Sequence, residues 1–118
     1  MFHQCEFLRA GDPMALADLD ACVEKAAAAL LPGIEFQLGG PCSYPPVKEG
    51  RYYGAPWRNR RHDMAAGGVF KDEWVTKGGL DPGEHGAIGF AFGLERTAQI
   101  LHDLDDVRAL WQPPYVPA

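Results

Sequence analysis

Apolar residues recur at Leu16, Leu19, Val23, Ala26, Ala27 and Leu30, the spacing of an amphipathic helix. Asp18, Asp20, Glu24 and Lys25 fall between them and are expected to face water. Gly11-Asp12-Pro13 sets the start, with Asp12 as N-cap and Pro13 in the first helical position. Pro32-Gly33 ends the helix after about Leu31. The period then changes. Ile34-Glu35-Phe36-Gln37-Leu38 alternates and reads as a strand. A short extended piece follows between Gly39-Gly40-Pro41 and Tyr44-Pro45-Pro46, and its prolines restrict it to an edge or an irregular strand. A second helix is predicted over Asp72 to Lys77, before a turn-rich loop at Gly78-Gly79 and Asp81-Pro82-Gly83. From Gly89 to Leu94 small and apolar residues alternate as in a strand, which runs into a helix over Thr97 to His102. Alternating strands interleaved with helices predict an α+β fold. Its antiparallel sheet is backed by helices on one face, within a single domain covering residues 1–118.

The candidate chemistry sits where that last strand meets its helix. Gly89 and Gly93 on one face would let a flat ligand lie against the sheet, and Arg96 falls in the first turn beyond. A planar cation beside a bare glycine face suits a nucleotide, by ring stacking or by pairing with phosphate. A surface arginine after an ordinary Gly-rich strand is the plainer alternative. Arg51, Arg58, Arg60 and Arg61 interleave with Tyr52, Tyr53 and Trp57, which reads as a solvated hairpin with Arg stems covering rings, or as a nucleic-acid contact. The net charge of −5 argues against broad, sequence-independent nucleic-acid binding. At 47% apolar and 23% charged the chain is globular, and no run approaches the ~20 apolar residues that span a bilayer. A cytoplasmic protein without membrane partners is expected. Cys5, Cys22 and Cys42 are odd in number and widely spaced, so neither a disulfide framework nor a zinc site is indicated, and unreactive thiols are expected. A Gly-x-Ser-x-Gly elbow and a dinucleotide-binding Gly-x-Gly-x-x-Gly turn are both absent. His62-Asp63 and His102-Asp103 are adjacent pairs whose side chains point apart, and His85 is expected in solvent.

Gly89-Phe90-Ala91-Phe92-Gly93-Leu94-Glu95-Arg96 also resembles motif 3 of class II aminoacyl-tRNA synthetases. Phe2-His3-Gln4-Cys5-Glu6 resembles the strand that ends motif 2 in the phenylalanyl-tRNA synthetase alpha subunit. Gly79-Leu80-Asp81-Pro82 and Leu104-Asp105-Asp106-Val107-Arg108-Ala109-Leu110-Trp111 are similar to segments flanking motif 3 in that family. The Gly-Leu-Glu-Arg step is similar to pyrrolysyl-tRNA synthetase as well.

The resemblance implies a class II catalytic fold and ATP-dependent activation of an amino acid, with magnesium accompanying the ATP and no dedicated metal site. It implies that Phe2 stacks on adenine, above Gly89 and Gly93, and that Arg96 holds the nucleotide from the other side. Gln4 and Glu6, two apart on a strand and so on one face, would grip the α-ammonium group; His3 would point the other way, into the interior. Glu95 would act through magnesium or by orienting Arg96. Tyr44 would stand where the family has an aromatic ring against the amino acid, and Gly67 where it has a Gly-x-Gly floor. The match begins inside motif 2, so the motif 2 arginine and motif 1 have no counterpart here. Two readings stay open: an adenylate-forming ligase, or the catalytic piece of one, and a non-catalytic paralogue that binds nucleotide or amino acid as a regulatory module. The expected partners are an amino acid and a second copy, paired along Phe2 to Leu8 or through the Pro113–Pro117 tail. A tRNA is possible but unsupported by the net charge.

Overall fold

The computed structural model describes residues 2–111. The Pro113–Pro117 tail lies outside them. Five strands form one antiparallel sheet: β1 (Gln4–Gly11), β2 (Gln37–Pro41), β3 (Val47–Trp57), β4 (Arg60–Phe70) and β5 (Gly86–Gly93). Their spatial order is β1-β5-β4-β3-β2, which leaves β1 and β2 as the edges. Helices α1 (Leu16–Leu30), α2 (Asp72–Lys77) and α3 (Leu94–Leu101) and a 3-10 turn (Val107–Trp111) complete the fold. This is the expected α+β architecture.

Register assigns side chains to faces, because residues directly opposite in an antiparallel pair project the same way. Phe92, Ala65 and Tyr53 form one row, and Ile88 and Val69 share their face. Leu19, Val23 and Ala27 of α1 join these residues in the core, all but Ala65 nearly free of solvent. Burying a Leu or Val side chain contributes roughly 1.5–3 kcal/mol, so this layer holds α1 to the sheet. Phe7 stacks on Phe90 at 4.8 Å and both meet Phe92 edge-on, which extends the helix-side layer toward β1.

Helix α1 begins later than the Asp12-Pro13 signal indicates. Ala15 is its N-cap, and the Asp18 carboxylate accepts from the Ala15 backbone N–H at 2.8 Å. Residues 12–15 instead run past the start of β5, where a Cβ on Gly86 would stand 3.0 Å from the Met14 nitrogen. Asp20 does not face bulk water. It accepts from the Tyr53 hydroxyl at 2.7 Å and from Arg51 Nη1 at 2.8 Å, tying α1 to β3. Burial first and this hydrogen bond second push the Tyr53 hydroxyl far above its ordinary value.

Ile34 and Phe36 pack on the core, Phe36 against Tyr53 at 5.6 Å, so the ladder of β2 starts only at Gln37. The Leu104–Trp111 segment forms the 3-10 turn over Val107–Trp111. His3 is exposed rather than interior, and His85 is half-buried with Nδ1 3.1 Å from the Gly11 carbonyl. All three cysteines are free, and Cys5 is exposed on β1. No helix among the described residues is long and apolar enough to cross a membrane.

Candidate functional site

The face opposite α1 carries the other half of each strand's residues. Gln4 lies opposite Gly93, Glu6 opposite Ala91, and Leu8 opposite Gly89. The rows continue through Ala66 to Tyr52 and through Gly68 to Gly50. Small residues on β5 and β4 therefore make a floor of nearly bare backbone, with Gln4 and Glu6 on one side and Tyr52 on the other. The floor is closed at one end, where a Cβ on Gly89 would come within 3.0 Å of the Phe70 ring and one on Gly68 within 2.6 Å of Val47. At the other end it is open.

Two further polar residues belong to this face, which the sequence shows only as part of the arginine run and of the His62-Asp63 pair. Met64 is an extra residue at the irregularity where pairing steps from Tyr53↔Ala65 to Gly54↔Asp63. Beyond that bulge Asp63 and Arg61 share the open face and pair at 2.9 Å, Nη2 to Oδ1. The charge of Asp63 also reaches Tyr52, whose hydroxyl is held above its ordinary value first by a hydrogen bond with Cys42. Tyr52 is thus a neutral phenol at neutral pH. The signal available in the sequence was the alternation Arg61-x-Asp63, but the bulge that sets its face leaves no local mark.

Glu95 is committed to the N-terminal strand. Its two oxygens accept from the His3 backbone N–H at 2.7 and 2.9 Å, and His3 Nδ1 lies 2.6 Å from one of them. Burial alone would raise the Glu95 carboxyl; the His3 hydrogen bonds outweigh it and hold the group below its usual range. Leu94 N–H donates to the His3 carbonyl as well, so β1 is latched to the start of α3.

Arg96 is half-buried and directed at β4. Nη1 donates to His62 Nδ1 at 3.2 Å and stands 3.5 Å from the Asp63 carbonyl. A guanidinium only donates and a carbonyl only accepts. His62 therefore satisfies both neighbours as the tautomer with its proton on Nε2, which donates to the Trp57 carbonyl at 3.2 Å. Between this strand end and α3 lies a cleft of about 290 Å³, with Trp57, Arg60, His62 and Arg96 on its walls. The hairpin tip above it is clasped to the loop after α3. Arg58 and Asn59 adopt φ of 52° and 64°, Arg58 lies 4.5 Å over the Trp57 ring, and Trp57 Nε1 and Arg58 Nε donate to Asp103 at 3.0 and 2.9 Å.

The arginine run is thus divided. Arg51 is held by Asp20 and Arg58 by Asp103 and Asp105, and of the interleaved rings Tyr53 is wholly buried while Tyr52 is exposed on the opposite face, so the run does not form one continuous surface of arginines and rings.

Of the residues expected in the site, Gln4, Glu6, Gly89 and Gly93 come together on the open face. Phe2 precedes β1 and is exposed, close in sequence to that face. Tyr44 is exposed on the turn before β3, where Val47 N–H donates to its carbonyl, three strands from β1. Gly67 belongs to the helix side. It lies opposite Phe90, and a Cβ there would meet the Phe90 Cβ at 2.6 Å, so Ala66 and Gly68 occupy the floor in its place. Among the described residues no three His, Cys, Asp or Glu side chains gather as a metal site.

Comparison with known proteins identifies the family. Residues 1–115 match the model of the tRNA synthetases class II core domain (F). Phenylalanine–tRNA ligase alpha subunits are among the similar proteins. That of Deinococcus radiodurans is 33% identical over 92% of this chain, that of Tropheryma whipplei 30% over 92%, and that of Thermosynechococcus vestitus 27% over 94%. The chain spans only about a third of each relative, 36%, 32% and 33% of their lengths. The match of residues 1–115 places this chain, with its five-stranded antiparallel sheet, in the class II tRNA synthetase core-domain family.

Proposed function

We propose that the open face binds ATP and an amino acid and joins them as an aminoacyl-adenylate. The observation that carries this reading is the register that sets Gln4 and Glu6 beside Gly93 and Ala91. A carboxylate and an amide oxygen on one face suit a primary ammonium, and bare backbone beside them suits a flat ring. In the reaction an amino acid carboxylate oxygen attacks the α-phosphorus, the bond to the bridging oxygen of the β-phosphate breaks, and pyrophosphate leaves. This chain's part is positioning and charge stabilisation. Glu6 and Gln4 hold the ammonium, Gly93 admits the nucleotide while Gly89, under the Phe70 ring, bounds its floor, Phe2 stacks on adenine, and Arg96 meets the ring or phosphate after leaving His62. Tyr44 approaches the amino acid side chain. Glu95 supports Arg96 by fixing the start of α3.

Asp63 fits a magnesium ion carried with the phosphates, since such ions take one or two carboxylates and complete their shell with phosphate and water oxygens. Magnesium there would offset the charge of the departing pyrophosphate. The adenylate's acceptor would be a tRNA, in the cytoplasm. A second copy pairing along the β1 edge belongs to the same reading, and light scattering that finds only monomers would remove it.

A binding module without turnover is the second reading. It is favoured by the orientation of Arg96, which meets β4 instead of the floor. Amino-acid-dependent ATP–pyrophosphate exchange, run beside calorimetry with ATP and a non-hydrolysable adenylate mimic, separates the two. Exchange supports the ligase; binding without exchange supports the module; neither leaves family membership alone. Arg96→Ala is expected to reduce nucleotide affinity below detection under both.

A further inference from the structure

Resting on the nucleotide reading above, we propose that Arg61 is a phosphate-binding residue of the open face, contacting the phosphate chain of the nucleotide. Of Arg51, Arg58, Arg60 and Arg61, it alone projects onto that face by register and contact. Its guanidinium is seated on backbone. A Cβ on Gly39 would stand 2.4 Å from Arg61 Nη2, and one on Gly54 would stand 2.8 Å from both Nε and Nη2. Any side chain at either position would therefore displace it. The missing side chains of Gly39 and Gly54 leave the space that the guanidinium occupies, which places a long side chain before any ligand arrives.

What Arg61 meets in this slot is exchangeable. Its ion pair with Asp63 is between side chains 38% and 55% exposed, a solvent-screened contact of the kind that contributes little. No other ion pair or hydrogen bond engages it among the described residues, so most of its five N–H donors are open to a ligand. A phosphate chain carries several negative charges and presents paired oxygens, matching the guanidinium fork better than one carboxylate does. Asp63 next to it suits the cation that accompanies those phosphates. Arg96, by contrast, is turned toward His62, so the guanidinium that the open face presents is that of Arg61.

Calorimetric titration of ATP, ADP, AMP and adenosine into the full chain, with magnesium, tests this in the wild type, Arg61→Ala, Arg61→Lys and Arg108→Ala. Arg108, on the 3-10 turn and outside the strand rows of the open face, is 80% exposed and pairs with Asp106, and its removal makes the same change in net charge. Arg61→Ala is expected to weaken ATP binding roughly ten- to a hundredfold, the range for a lost charge-assisted hydrogen bond. The loss should shrink from ATP to AMP and vanish for adenosine. Arg61→Lys should fall between, and Arg108→Ala should stay within about twofold of wild type. Wild-type binding of ATP no tighter than adenosine overturns the proposal while leaving nucleotide binding intact. So does an Arg61→Ala variant that matches Arg108→Ala, or one that loses adenosine as fully as ATP. A wild-type protein that binds none of the four overturns both this proposal and the reading beneath it.

Discussion

Tyr52 and Tyr53 are neighbours with the same side chain, and the sheet sends them to opposite fates. Tyr53 is wholly buried beneath α1, stacked on Phe36 and hydrogen-bonded to Asp20. Tyr52 is 41% exposed on the other face, in a row with Ala66, Ala91 and Glu6. The helix side is filled with Phe, Ile, Val and Leu. The open side is lined with Gly and Ala and edged by Gln4, Glu6, Arg61 and Asp63. The first face spends its residues on stability; the second keeps its backbone bare and its polar groups at the margins, as a ligand-binding surface requires. Period-two alternation lets one set of strands do both, and makes the division sensitive to a single step of register.

Substitutions at equivalent depths on the two faces should therefore separate. The largest effect is expected for Tyr53→Ala, about 3–5 kcal/mol of lost stability in denaturant unfolding, the range for truncating a buried aromatic. Tyr52→Ala that destabilised as much would erase the contrast. Asp20→Ala should cost about 1–3 kcal/mol, since it strands the Tyr53 hydroxyl and an Arg51 whose Nε already has no partner. An unchanged unfolding midpoint would show that the α1–β3 polar link contributes nothing.

Glu95→Gln tests the latch between β1 and α3. Because the folded carboxyl is held below its ordinary value of 4.5, its contribution is present above that pH and fades as pH falls below it. The stability gap between wild type and Glu95→Gln should be widest near neutrality and close below about pH 4.5. A gap independent of pH would assign the effect to packing. Smallest of all, Tyr52→Phe should shift stability by no more than about 0.5 kcal/mol, as exposed substitutions do.

How much of this was readable in the chain depends on how local each cause is. Helix α2 falls where its signals put it, and β5 followed by α3 is legible because alternation gives way to helix within a few residues. Gln4 and Glu6 share a face by local alternation, as do Gly89 and Gly93, but it is the β1–β5 register that puts both pairs on one face. The Asp12-Pro13 signal does not mark the start of α1 because that segment packs along β5, a partner distant in sequence. One residue of register separates Gly67 from the floor residues Ala66 and Gly68, and only strand pairing decides between them. Arg61 and Asp63 lie past a bulge at Met64, so their face depends on pairing with β3 that no local pattern announces. The partner of Arg96 depends likewise on where the end of β4 passes α3.

The most direct measurement follows the backbone amide resonances of the protein during titration with a non-hydrolysable aminoacyl-adenylate mimic. Shift changes are expected to cluster at Gln4 to Glu6, Gly89 to Gly93 and Arg61 to Ala66, leaving the α1 residues Leu19, Val23 and Ala27 unmoved. Saturable changes confined to the helix side, or none at all at millimolar ligand, would contradict a binding role for the open face.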